Sequence, residues 1–228
     1  MRIIFVRHGH PNYEKDCLTE LGHRQAQACA KRLSEERIAK IFSSSCGRAY
    51  ETAQHIAAPL GMKVEACDFM REVKWGSEDG EALFLDGHPW YVADDMVSRG
   101  QNIMDADWAH KEPFVHNKVV GYVQTVREGF DRWLSSLGYE REGLYYRVRH
   151  GNRDTVVMAS HGGSSSIALA RLFNLEFPFV CATLKPDFTS VTVVSLEGDD
   201  GSLISPIMKV LNDARHITHI PTDAVYGQ

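Results

Sequence analysis

The sequence predicts a three-layer α/β/α fold with a mostly parallel central sheet, and three observations predict it. Short apolar runs alternate along the chain with stretches of helical periodicity. The first run, Ile3-Ile4-Phe5-Val6, is apolar throughout rather than alternating, as a strand covered on both faces must be. No repeat, low-complexity tract or Pro/Gly/Ser linker divides the 228 residues, so 1–228 reads as a single domain.

Each element then follows from its local chemistry. Residues 3–6 form a strand that stops at the charged, glycine-containing turn Arg7-His8-Gly9. Thr19 can cap a helix over about 20–36, where Leu21, Gln25, Ala28, Cys29, Arg32 and Leu33 fall at helical spacing. Residues 38–43 read as a second strand. The turn Ser43-Ser44-Ser45-Cys46-Gly47 then leads into a helix that puts Arg48 near its N-terminus. Residues 63–66 suit a third strand. From 76 to about 116 the chain mixes Gly, Asp, Pro, Trp and His without period, and a cap insertion is expected at about 76–150.

The period returns at Asn117, with Val119, Val120, Val123, Val126, Phe130, Trp133, Leu134 and Leu137 along one side of a long helix that Gly138 stops. Residues 144–148 and 155–159 flank a turn at 150–153, and Thr155-Val156-Val157-Met158-Ala159 is apolar enough for a central strand. It ends at Ser160-His161-Gly162-Gly163. A helix over 164–173 follows, and 191–196 with 203–211 are expected to form a hairpin across Gly198-Asp199-Asp200-Gly201.

Composition narrows the function. A formal net charge of -5 argues against a broad basic face for nucleic acid or anionic lipid, so any anion site is local. The five cysteines, odd in number and without CxxC spacing, read as reduced thiols. The apolar run before Arg7 is only four residues long, Ile3 to Val6, and no stretch reaches membrane-span length, so the expected location is cytoplasmic. The state expected is monomer or homodimer. His88, His110 and His116 are irregularly spaced, and His216 and His219 have no acidic or thiol partner arranged with them, so no metal is expected. Phe84, Trp90, Tyr91, Trp108 and Phe114 are expected to build a small cap over the sheet that selects substrate.

Ligands in open α/β sheets bind at the carboxyl ends of the strands, where both histidine turns fall. A neutral imidazole is a nucleophile toward phosphorus, which marks His8. A transferring phosphoryl group carries charge on its equatorial oxygens and needs fixed cations and amides around it. Arg7 and Arg48 suit that task through bidentate guanidinium contacts, and His161 with the Gly162 amide adds further donors.

These blocks resemble the histidine phosphatase superfamily, in its phosphoglycerate-mutase-like branch. The signature is Val6-Arg7-His8-Gly9. Leu18-Thr19-Glu20-Leu21-Gly22-His23-Arg24-Gln25-Ala26 is similar to the family's helix start, and Ser43-Ser44-Ser45-Cys46-Gly47-Arg48-Ala49-Tyr50-Glu51-Thr52-Ala53 to its second-arginine block. Met70-Arg71-Glu72 through Gly80 resembles its acid-bearing loop, and Ala159-Ser160-His161-Gly162-Gly163 its second histidine. His10 departs from the family, which more often has Glu, Gln or Ser there.

The resemblance implies a phosphohistidine on His8, a phosphate pocket of Arg7, Arg48 and His161, Glu72 as proton donor, and no metal or other cofactor. It also places Asn12 where relatives donate an amide to phosphate. The neighbouring acids Glu78, Asp79 and Glu81 would help Glu72 keep a proton, and Asp79 or Glu78 could serve in its stead. Relatives that act as mutases carry a basic stretch after the acid-bearing loop. This chain has Gly76-Ser77-Glu78-Asp79-Gly80-Glu81 there, with Lys74 the one basic residue nearby, which favours a phosphatase acting on a phosphorylated small molecule. Phosphoglycerate-mutase-type transfer and a non-catalytic phosphate-binding or interaction module are the alternatives.

Overall fold

The computed structural model of the chain describes residues 1–220. In chain order its main elements are β1 Arg2–Arg7, β2 Pro11–Asn12, β3 Cys17–Leu18, α1 Glu20–Leu33, β4 Ile38–Ser43, α2 Gly47–Ala57, β5 Val64–Ala66, α3 Pro89–Ser98 and α4 Val119–Ser136. They continue with β6 Tyr139–Glu142, β7 Tyr145–Val148, β8 Thr155–Ser160, α5 Gly162–Phe173, α6 Phe177–Thr183, β9 Val191–Ser195, β10 Leu203–Ile204 and β11 Ile207–Asp213. Six strands make one sheet in the order β11-β9-β1-β8-β4-β5. The ladders joining β1, β8, β4 and β5 are parallel, while β9 runs antiparallel to both its neighbours.

Why Ile3 to Val6 of β1 are all apolar is visible in the strand's two faces. Ile3 and Phe5 join Met158, Val123, Phe130, Leu134 and Ile167 in one core, under α3 to α6. Ile4 and Val6 join Val157, Cys29, Leu33, Ala53 and Ile56 in the other, under α1 and α2. Side chains of a strand alternate between faces, so a strand covered twice must be apolar throughout. Thr19 caps α1, its hydroxyl accepting the Gly22 N–H at 3.1 Å.

Several boundaries differ from expectation. The first helix ends at Leu33 rather than Glu36, whose carboxylate instead pairs with Arg2. The irregular stretch holds a helix, α3, begun by Pro89 at a position where its missing N–H costs nothing. The expected C-terminal hairpin is corrected. Ile207 does pair with Ser195, but Leu203 and Ile204 leave that sheet and pair with Arg147 and Tyr146 of β7. Pro206 between them has no N–H to give a ladder, so the strand breaks there. Within 76–150, α3 and α4 pack on the sheet through Val92, Met96, Val126 and Trp133. Among the described residues no helix is long and apolar enough to cross a membrane, and all five cysteines are unpaired.

Candidate active site

Sheet register assembles the site. Arg7 lies opposite Ser160 and Ser43 opposite Ala159, so the residues that follow β1, β8 and β4 emerge side by side at one edge of the sheet. His8 N–H donates to Ser160 O at 2.9 Å and Ser44 N–H to Ala159 O at 2.8 Å, extending the ladders one step past the strands. His8 and His161 thereby meet edge-on, with ring centroids 5.1 Å apart, at 1% and 0% exposure. Arg48 reaches in from the first turn of α2, and its Nε donates to His8 Nε2 at 3.3 Å.

The His8 tautomer follows from its partners. Nδ1 lies 2.7 Å from the Gly9 carbonyl, which can only accept, so Nδ1 carries the proton and Nε2 the lone pair. That lone pair faces Arg48. Burial, then Arg7, holds the ring well below its usual titration range, and Arg48 and His10 push the same way against the Gly9 carbonyl. His161 is held down by burial first and then by His8, Arg48 and Arg7. Its Nε2 meets the Ser44 hydroxyl at 2.8 Å, while Nδ1 is buried without a hydrogen bond, 4.0 Å from Glu72 Oε2.

Glu72 stands where a 3-10 turn after β5 gives way to the acid-bearing loop, and Oε1 accepts the Val73 N–H at 3.0 Å. Its carboxyl is pushed up, but by burial rather than by the neighbouring acids that the sequence suggested. The Val73 N–H, Arg7, Arg48 and the Gly163 N–H oppose the shift. Gly163 is required here, because a Cβ would fall 2.6 Å from both Glu72 Oε1 and Val73 Cγ2. Asp79 lies elsewhere, in an exposed turn accepting from Ser77 and from the Glu81 N–H, and the Glu78 N–H bonds His116 O.

Arg7, Arg48, His8, Glu72 and His161 therefore converge, with Gly162 opening α5 beside Arg7: a Cβ on it would lie 3.8 Å from Arg7 Nε. No hydrogen bond joins Asn12 to this group; its Oδ1 accepts the Lys15 N–H in an exposed turn. His8, Glu72 and His161 also place their ligand atoms within 4.8 Å of one another, the one such trio of potential metal ligands among the described residues. A cleft of about 580 Å³ opens beside the cluster, lined by Tyr13, Arg48, Arg71, Glu72, Lys74 and Tyr122 among others. The sequence pointed to Lys74 alone as basic here, and the fold adds Arg71.

Three site residues escaped the sequence reading. Asp16 accepts from Arg48 Nη1 through one oxygen and from the Gly47 N–H at 2.8 Å through the other, fixing the arginine. Ser44 orients His161. Phe188 lies under the Arg7 guanidinium, 4.1 Å from its carbon to the ring centroid. The Ser43-Ser44-Ser45 turn drew attention to Ser44 without giving it a partner; nothing in sequence links Asp16 to Arg48 or Phe188 to Arg7.

The chain is similar to known proteins over most of its length. The family model of the histidine phosphatase superfamily (branch 1) matches residues 3–102. "Putative phosphoserine phosphatase 2" of Hydrogenobacter thermophilus is 23% identical over 225 residues, covering 89% of this chain and 93% of its own. Phosphoglycerate mutase-like protein 4 of Arabidopsis thaliana is 41% identical over 69 residues, 26% of this chain and 30% of its own. Among solved structures, mycobacterial glucosyl-3-phosphoglycerate phosphatase superposes with a TM-score of 0.63 at 26% identity, covering 92% of this chain and 98% of that one. Phosphoserine phosphatase from Entamoeba histolytica, solved with phosphoserine, superposes with a TM-score of 0.62 at 19% identity over 95% and 98%. Sequence pattern, fold and relatives point the same way: residues 3–102 match the histidine phosphatase superfamily, and the chain as a whole is similar to phosphatases of that kind.

Proposed function

We propose that the protein is a phosphatase that hydrolyses a phosphorylated small molecule through a phosphohistidine on His8. The observation that carries this reading is the protonated Nδ1 of His8 held on the Gly9 carbonyl, which leaves Nε2 as a lone-pair donor between Arg7 and Arg48. The substrate phosphoryl group displaces the Arg48–His8 contact and takes both guanidiniums, the Gly162 amide and His161 as donors. Asn12, whose oxygen is engaged by Lys15, would need to turn to present its amide to the same group. Nε2 forms the P–N bond as the P–O bond to the leaving group breaks, and Glu72 gives that oxygen its proton. Water then attacks phosphorus, its proton passes to Glu72, and His8 is released neutral as phosphate leaves.

The trio of His8, Glu72 and His161 has the donor chemistry of a metal site, but two guanidiniums face it, and we read it as metal-independent. Arg71 and Lys74 have no carboxylate within 4.0 Å among the described residues. Lining the cleft, they favour a leaving group that carries its own anionic charge, as phosphoserine and phosphoglycerate do. The region at about 76–150 supplies the cap that selects it, with Tyr122 and Val126 of α4 lining the cleft. Five unpaired thiols suit a reducing, cytoplasmic setting.

Hydrolysis of p-nitrophenyl phosphate, phosphoserine and 3-phosphoglycerate by wild type and His8→Ala tests the reading. Wild type is expected to turn over and to trap acid-labile phosphate on quenching. His8→Ala is expected to lose at least about 10⁴-fold in kcat with no trapped phosphate. Wild type without turnover or trapped phosphate sinks it.

A further inference from the structure

Residues 186–189 run past the pocket as a strap whose one charged residue, Asp187, acts on Arg7 only from a distance, while the other three touch the Arg7-His8 pair. Pro186 O accepts from Arg7 Nη1 at 2.6 Å. The Thr189 N–H reaches Arg7 O at 3.0 Å and His8 O at 3.3 Å. Between them the Phe188 ring lies 4.1 Å from the Arg7 guanidinium carbon, 5.7 Å from the His8 ring and 5.5 Å from the His10 ring. Asp187, the exception, anchors the strap instead: its N–H donates to Asn212 Oδ1 at 2.8 Å. Thr189 is buried with φ at +53°, a conformation a β-branched residue adopts only when its surroundings impose it.

We propose that Phe188 is a positioning residue for this site, its ring holding the Arg7 guanidinium from one side and keeping water off one face of the His8 ring. The proposal rests on the reading of His8 as nucleophile and Arg7 as phosphate ligand. Arg7 needs such a support, because its Nε is buried without a partner and no carboxylate lies within 4.0 Å of it among the described residues. A ring face beneath a desolvated guanidinium supplies attraction without a counter-charge that would compete with phosphate. His8 is meanwhile enclosed by Phe188, His161 and Arg48, with Arg7, Arg48, His10, His161 and Glu72 the charged or titratable groups facing it. Burial is the largest influence holding its ring neutral, and Phe188 supplies one wall of that burial.

Two readouts separate positioning from mere packing. Phe188→Leu keeps apolar bulk but removes the ring face, and should weaken binding of inorganic phosphate, measured by calorimetry, about tenfold, with Phe188→Tyr restoring it. Phe188→Ala opens one face of His8 to water and should raise its pKa toward 6.5, read by NMR from its labelled ring. The acid limb of kcat/KM should move up with it. Equal phosphate affinity in wild type and Phe188→Leu, or loss that Phe188→Tyr does not restore, overturns the proposal, as does an unmoved His8 titration in Phe188→Ala. If an alanine variant fails to fold, the leucine and tyrosine pair still decides. Neither phosphate binding nor the NMR titration requires turnover, so a wild type that hydrolyses nothing defeats the phosphatase reading alone.

Discussion

The His8–His161 pocket and the 76–118 segment that leads to α4 are built on opposite principles. In the pocket the groups are buried and short of partners: Arg7 Nε and His161 Nδ1 have none, and His8 spends its lone pair on a long contact to Arg48. In the segment, polar groups are exposed and answer one another: Ser77 with Asp79, Asp105 with Lys111, Asp107 with His110. A buried donor without a partner costs free energy unless a ligand supplies one, so the pocket leaves partners for a ligand to supply while the segment satisfies its own groups. A carboxylate that does chemistry should therefore be found by the buried histidine and arginines it faces, not by the density of acids around it.

Glu72→Gln breaks that comparison hardest. It should slow cleavage of phosphoserine, whose alkoxide needs a proton, by about 10²- to 10³-fold, and of p-nitrophenyl phosphate by under about tenfold. Equal losses in steady-state kinetics would move the acid role elsewhere. Arg71→Ala with Lys74→Ala should raise KM for a carboxylate-bearing substrate by about tenfold and leave p-nitrophenyl phosphate nearly unchanged, if the cleft cations read the leaving group.

A third test is thermodynamic. His8 and His161 titrate lower in the folded chain than their ordinary 6.5. Between those two ranges the unfolded chain binds more protons, so stability falls as pH drops below about 6.5 and is preserved above it. Glu72 has the opposite sign, its raised carboxyl favouring the fold on the acid side of its folded range. Melting temperature should fall between pH 7 and pH 5, and His161→Gln should flatten that fall. An unchanged slope would mean His161 is not buried neutral. The smallest effect belongs to Asp79→Asn, in the self-contained turn, which should alter turnover by less than about twofold; a large loss would return Asp79 to contention as the acid.

What was legible in the sequence follows the same division. His8, Arg48 and His161 each sit in a local motif at a strand end, and parallel strands bring such ends together without further information. Ile38–Ser43 could be read to the residue because its boundaries are a polar loop and a serine turn. Asp16, Ser44 and Phe188 were hidden because their roles depend on partners 32, 117 and 181 residues away, and Asp, Ser and Phe are common in loops and cores alike. The α3 helix hid behind the turn-formers around it, and β10 behind a hairpin pattern that Pro206 interrupts.

The Gly9 carbonyl on His8 Nδ1 has one more consequence. If Nε2 carries phosphorus, the ring is an imidazolium whose remaining proton is already committed to the buried Gly9 carbonyl. On the proposed role of His8, the phosphoramidate would be held in its activated, readily discharged form, with the phosphoryl group at high transfer potential. On that reading the acceptor would be the molecule standing in the Tyr13-Arg71-Tyr122 cleft while His8 is loaded, so the residues bordering that cleft would set the fate of the group as much as the histidine sets its activation.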